Sequence, residues 1–167
     1  MSVFLQPIYT QTVTSSGGAA SITFNNIPQT FTDIKVELCG QNTTTSGACI
    51  IRFNSVTTGY SIRRLYGNGS SAVSDNYSEA YFLFTNSSDF GSSNFDASNM
   101  YIPNYTSANY KEVICDVSQP RNATNPVEAI IAGLWSNTQA ITSISITPTA
   151  GNIAQYSTIT LYGITKG

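Results

Sequence analysis

The chain has 167 residues, of which 10% are charged, with a net charge of −2 and no histidine. Its seven Lys and Arg are scattered, with Arg63-Arg64 the one adjacent pair, so it lacks the cation cluster that neutralises nucleic-acid phosphates. Without histidine there are no His-assisted Ser or Cys nucleophiles and none of the usual His-containing zinc or iron sites.

One domain spanning 1–167 is expected, large enough to bury roughly 70% of its unfolded surface. With 22 Ser, 21 Thr and 15 Asn, the surface is neutral and hydroxyl-rich. The 41% hydrophobic content sets the chain apart from disordered sequences. No basic segment followed by an apolar one starts at Met1-Ser2-Val3-Phe4, so no secretory signal is expected. No apolar run approaches the roughly 20 residues of a membrane helix. Six Asn-x-Ser/Thr triplets, at Asn42, Asn68, Asn76, Asn86, Asn104 and Asn122, follow from composition and are not read as glycosylation sites.

Taken in order, the chain reads as strand after strand. Phe4 to Thr14 is extended, Ser15-Ser16-Gly17-Gly18 is a turn, and Ala20 to Phe24 is a short strand ending at Asn25-Asn26-Ile27-Pro28. Asp33 to Gly40 alternates, with Ile34, Val36 and Leu38 inward and Asp33, Lys35 and Glu37 outward. After a polar loop, Ala48 to Asn54 is the next strand, and Cys39 and Cys49 flank this candidate hairpin loop. Parity puts the two thiols on opposite faces, so no disulfide is expected, and Cys39, Cys49 and Cys115 are read as free thiols.

Tyr60 to Tyr66 is a strand closed by the turn Gly67-Asn68-Gly69, and the pattern over Ser70 to Asn76 does not choose a state. Tyr77 to Thr85 reads as a strand buried on both faces, and Asn86 to Asn94 as the longest loop. Ser98 to Ile102 and Tyr110 to Ser118 are strands, and Gln119 to Pro126 is a loop with prolines at both ends. Val127 to Trp135 has the apolar count of a short helix, but Val, Ile and Trp favour a strand. Two alternating Ile/Thr strands flank a Gly151-Asn152 turn and read as a pair, the second over Thr158 to Ile164. About ten short strands separated by polar loops predict an all-β, jelly-roll-like antiparallel β-sandwich.

Catalytic signals are few. Paired carboxylates are the one enzymatic option, and Glu112 and Asp116 share parity on one strand, whereas a glycosidase needs its pair about 5 to 10 Å apart. Asp89 and Asp96 are the acids nearest to a calcium loop but lack the spacing of a known one. Asp89-Phe90-Gly91 is read as a turn. No catalytic, cofactor or metal residue is assigned. Ten tyrosines make aromatic contacts the stronger signal. Tyr60, Tyr66, Tyr77, Tyr105 and Tyr110, with Phe4, Arg63 and Arg64, are the candidate interface residues.

The run Trp135, Ala140-Ile141-Thr142-Ser143-Ile144, Gly151-Asn152 and Thr160-Leu161-Tyr162-Gly163-Ile164 resembles the C-terminal signature of small tailed-bacteriophage structural proteins. Ile22 to Ile34, Phe53-Asn54 with Tyr60, Ile102-Pro103-Asn104-Tyr105 and Tyr110-Lys111 are similar to that family in the same order. At Tyr156-Ser157 the family pattern would have Gly-Ser.

The resemblance implies a non-enzymatic virion protein, assembled in the host cytoplasm. The expected role is a capsid decoration (cement) protein that binds the major capsid protein and associates with itself, with a homotrimer expected. The alternative is a tail or head fibre component that binds a receptor or glycan. The chain starts at its own methionine and carries no coiled coil or docking helix, so attachment through its globular surface is expected. The extended ends, Met1 to Pro7 and Thr165 to Gly167, are candidates to reach a neighbour.

Overall fold

A computed structural model describes residues 4–85, 90, 94–119 and 126–165, and every regular element among them is a β-strand. In chain order these are β1 (Phe4–Thr12), β2 (Ile22–Phe24), β3 (Asp33–Gly40), β4 (Cys49–Phe53), β5 (Tyr60–Gly67) and β6 (Ala72–Glu79). Then come β7 (Phe82–Leu83), β8 (Asp96–Ile102), β9 (Lys111–Gln119), β10 (Val127–Trp135), β11 (Ile144–Pro148) and β12 (Thr158–Thr165). The strands form two antiparallel sheets that pack together as a β-sandwich. The large sheet runs β1-β12-β3-β8-β9-β10-β5-β6 and the small one β2-β11-β4-β7.

Alternation in the sequence determines the faces. On β9 every second residue from Lys111 to Gln119 is buried, while Glu112, Ile114 and Asp116 face out. The core joins Val36, Leu161 and Ile131 of the large sheet to Ile51, Phe53 and Ile146 of the small one. At its centre, Phe53 of the small sheet meets Trp135 of the large sheet edge-on at 5.5 Å, and Phe82 meets Tyr60 at 4.9 Å. Each such ring contributes about 2–3 kcal/mol on removal from water.

Chain neighbours are often not sheet neighbours. β3 and β4 lie in different sheets, so Cys39 and Cys49 do not flank a hairpin. Cys39 is exposed, Cys49 and Cys115 are buried, and all three are free. The two C-terminal strands do not pair with each other either: β11 joins β2 and β4, whereas β12 joins β1 and β3. The Gly151 turn, with φ of 67°, therefore carries the chain across the sandwich.

Ala140 to Ser143 stays outside the ladder because Asn54 holds it. The Asn54 Oδ1 accepts the backbone N–H groups of Thr142 (2.9 Å) and Ser143 (3.1 Å), and its Nδ2 donates to the Ala140 carbonyl (2.8 Å). The segment Tyr77 to Thr85, read as one strand, is divided between β6 of the large sheet and β7 of the small sheet. Asp33 has outward parity but is fully buried, because the Tyr101 hydroxyl (2.5 Å) and the Asn104 backbone N–H (2.8 Å) both donate to its carboxylate. Most of the two long loops, residues 86–89, 91–93 and 120–125, lies outside the described residues.

The blocks that carry the family resemblance meet in space. A Cβ at Gly163 would overlap the Phe31 ring, so glycine there lets that ring lie on β12. The Tyr105 hydroxyl donates to the Pro28 carbonyl, and the Ile141 N–H donates to the Tyr105 carbonyl at 2.9 Å. Phe31, Tyr105, Ile141 and Gly163 are therefore packing and splicing residues.

Candidate functional site

Strands β9, β10, β5 and β6 extend the large sheet beyond β8, and its outer face there has an unusual composition. Outward positions on most strands are polar, and on β1 and β12 they include the hydroxyl pairs Thr10 with Thr160 and Thr12 with Thr158, with Leu5 opposite Ile164 at the far end. On the extension, Leu65 (54% exposed), Ile114 (53%) and Ile130 (56%) occupy outward positions instead. Leu65 stands opposite Ile130, and Ala132, in register with both Arg63 and Ile114, connects the row. This places an apolar stripe across three adjacent strands in water, where single apolar residues are ordinary but a contiguous group marks a contact surface.

The face is hollowed. One depression of about 530 Å³ lies among Ser61, Arg63, Asn76, Ser78, Glu112 and Leu134. A second, of about 450 Å³, lies among Leu65, Ala72, Asp116, Ser118, Glu128 and Ile130. Three carboxylates, Glu112, Asp116 and Glu128, rim the stripe, and among the described residues Arg63 is the one cation that lines the two depressions, so the face favours a basic partner. The Ser118 hydroxyl donates to Glu128 at 2.7 Å and fixes one edge of the rim.

The sequence candidates divide into three groups. Arg63 lies on this face, and Phe4 and Tyr110 are exposed elsewhere. Tyr66 and Tyr77 are half-buried and lie on strands, not loops. Tyr60, Tyr105 and Arg64 are buried, which removes them as contact residues. The Tyr60 hydroxyl accepts the Phe53 N–H (2.9 Å) and donates to the Val56 carbonyl (3.2 Å), so the side chain clamps the turn after β4. Arg64 faces the other side of β5 from Arg63. There it is held by Asp75 and lies over the rings of Tyr66 (4.4 Å) and Tyr77 (5.7 Å). Leu65, Ile114 and Ile130 were not among the candidates. Their signal was present in the sequence as apolar residues at the wet parity of alternating strands.

Strand geometry also bears on the carboxylates. Glu112 and Asp116 are four residues apart on β9, about 13 Å at the usual rise, which is too far for a glycosidase pair. Asp96 is buried and accepts the Gln119 amide at 2.8 Å, and Asp89 lies outside the described residues. Among the described residues no group of three or more His, Cys, Asp or Glu is placed to hold a metal ion. No protein-family model matches this chain, and no curated protein matches it.

Proposed function

We propose that the protein is a non-enzymatic virion component, a capsid decoration (cement) protein of a tailed bacteriophage, assembled onto particles in the host cytoplasm. It binds the major capsid protein through the outer face of β9, β10 and β5. The observation that carries this reading is the solvent-exposed stripe of Leu65, Ile114 and Ile130 in a chain whose surface is otherwise hydroxyl-rich. A shell-binding protein needs one sizeable apolar patch with a polar rim more than it needs a catalytic cleft.

Strand order supports the jelly-roll-like reading. With hairpins β5–β6 and β9–β10 set aside, β1-β12-β3-β8 and β2-β11-β4-β7 remain, and each successive strand crosses to the opposite sheet except β4 and β7, which pair with each other. Renumbered consecutively, these orders are 1-8-3-6 and 2-7-4-5, the arrangement of two nested Greek keys used by viral capsid and lectin domains.

The test is the protein content of purified particles and its dependence on the face. A decoration protein is present in copy numbers comparable with the major capsid protein, and Ile114→Glu with Ile130→Glu abolishes its binding to undecorated shells. Absence from particles, or shell binding unaffected by both substitutions, overturns the reading. The larger depression, with Arg63, Asn76, Ser78 and Glu112 around an apolar floor, favours one second reading, a glycan-binding head on a tail or head fibre. In that case the chain is present in few copies and binds free oligosaccharide.

A further inference from the structure

Each sheet ends in two edge strands, and only one of the four lacks the features that keep an edge from pairing. In the small sheet β2 has three residues and β7 has two, too short to template another chain. In the large sheet β1 carries Pro7 and a register shift between Pro7 and Tyr9, which removes a donor and bends the edge. β6 differs. Its eight residues, Ala72 to Glu79, pair with β5 without a shift, and they contain no proline, lysine or glycine. Among the described residues no strand pairs with its far side. Its inward acid, Asp75, is neutralised by Arg64 and so does not repel an incoming strand.

We propose that β6 is the self-association edge of this protein and pairs antiparallel with β6 of a second copy about a twofold axis at Asn76. The charges choose the register. Directly opposed residues share a face, so a twofold axis passes through a residue position. Centring on Asp75 opposes two aspartates, and centring on Tyr77 opposes Asp75 to Glu79 twice, both of which are unfavourable. Centring on Ser74 pairs only the first part of the strand. Centring on Asn76 pairs the strand from Val73 to Glu79 and sets Asp75 against Tyr77, Ser74 against Ser78 and Val73 against Glu79. The buried hydroxyl of the half-buried Tyr77, which has no hydrogen-bond partner among the described residues, then lies in the same row as a carboxylate. The contact is isologous and closes at two copies, so it does not build the threefold association expected from the family resemblance. It joins two eight-stranded sheets and places their hollowed faces side by side. The inference does not depend on the decoration-protein reading.

The test uses the full chain with Cys39→Ser as background. In an antiparallel pair the Asn76 Cα atoms lie about 4.5–5.5 Å apart, within reach of a disulfide. Asn76→Cys is therefore expected to form a covalent dimer on mild oxidation, and Ala72→Cys is not. Sedimentation of the unmodified chain shows a dimer, and Ser74→Lys with Ser78→Lys, which places cations opposite each other, makes it a monomer with the same melting temperature. A chain that is monomeric at every concentration overturns the proposal. So does an oligomer that survives both lysines, or an Asn76→Cys protein that stays uncross-linked. If the lysine variant does not fold, the paired cysteine results decide alone.

Discussion

Arg64 and Asp75 face each other across β5 and β6, with Nη2 2.5 Å and Nε 3.1 Å from the two carboxylate oxygens. The guanidinium is almost fully buried while the carboxylate is partly exposed. Burial alone would lower the pKa of Arg64, but the Asp75 hydrogen bond and the fields of Tyr77, Asp75 and Tyr66 hold it above its ordinary value. Asp75→Asn leaves the cation buried with a weaker partner. It is expected to cost about 2 kcal/mol, below the full penalty of a buried pair because the carboxylate is partly solvated. Arg64→Met removes charge and penalty together and is expected to cost less than Asp75→Asn. Urea unfolding of both variants checks the order.

Tyr156 has φ of 70° with its side chain 69% exposed, so it carries left-handed strain without packing in return. Tyr156→Gly is expected to stabilise the fold by about 0.5–1 kcal/mol, the relief of left-handed strain less the extra chain entropy of glycine. A rise of about 1–4 °C in melting temperature measures it. Asn54, also left-handed at φ of 51°, is the contrast: Asn54→Gly loses the splice to Ala140–Ser143 and destabilises.

The fold is expected to weaken in alkali. Burial raises the thiol pKa of Cys49 and Cys115 and the phenol pKa of Tyr60, Tyr81 and Tyr105, and pushes Tyr77 up to about 12. Unfolded, these groups lose protons near 9.0 for Cys and 10.0 for Tyr, so above those values the unfolded chain binds fewer protons than the folded one. Their contribution is fully present below pH 9 and lost as pH rises. Lys111, buried with its ammonium donating to the Ser107 and Asn109 carbonyls, has its pKa lowered by burial and opposes the trend, but it is one group against six. Urea midpoints that fall steadily from pH 9 to 11.5 agree; midpoints that rise contradict this balance.

Thiol chemistry separates the three cysteines. Cys39 alone is exposed, so one equivalent of an aromatic disulfide reagent reacts with the native protein and three react in denaturant. Cys39→Ser abolishes the native reaction without changing stability beyond about 0.5 kcal/mol.

Alternation along the chain determined most strands and their dry faces, because a period of two reports which side of a strand avoids water wherever that strand lies. It also left a visible trace of the candidate surface, in Leu65, Ile114 and Ile130 at wet positions. The pairings were not legible. A ladder of N–H and C=O groups is the same for every partner, so β11 and β12 looked like a hairpin, although long-range packing sends one to each sheet. Tertiary structure alone separated Arg63 from Arg64. The two are adjacent in sequence, yet one is on the hollowed face and the other lies under Asp75 between two tyrosines. Only the fold brought Asp33 beneath Tyr101 and Asn104, residues about seventy positions later, and left β6 as the one long sheet edge, among the described residues, with neither a proline nor a register shift.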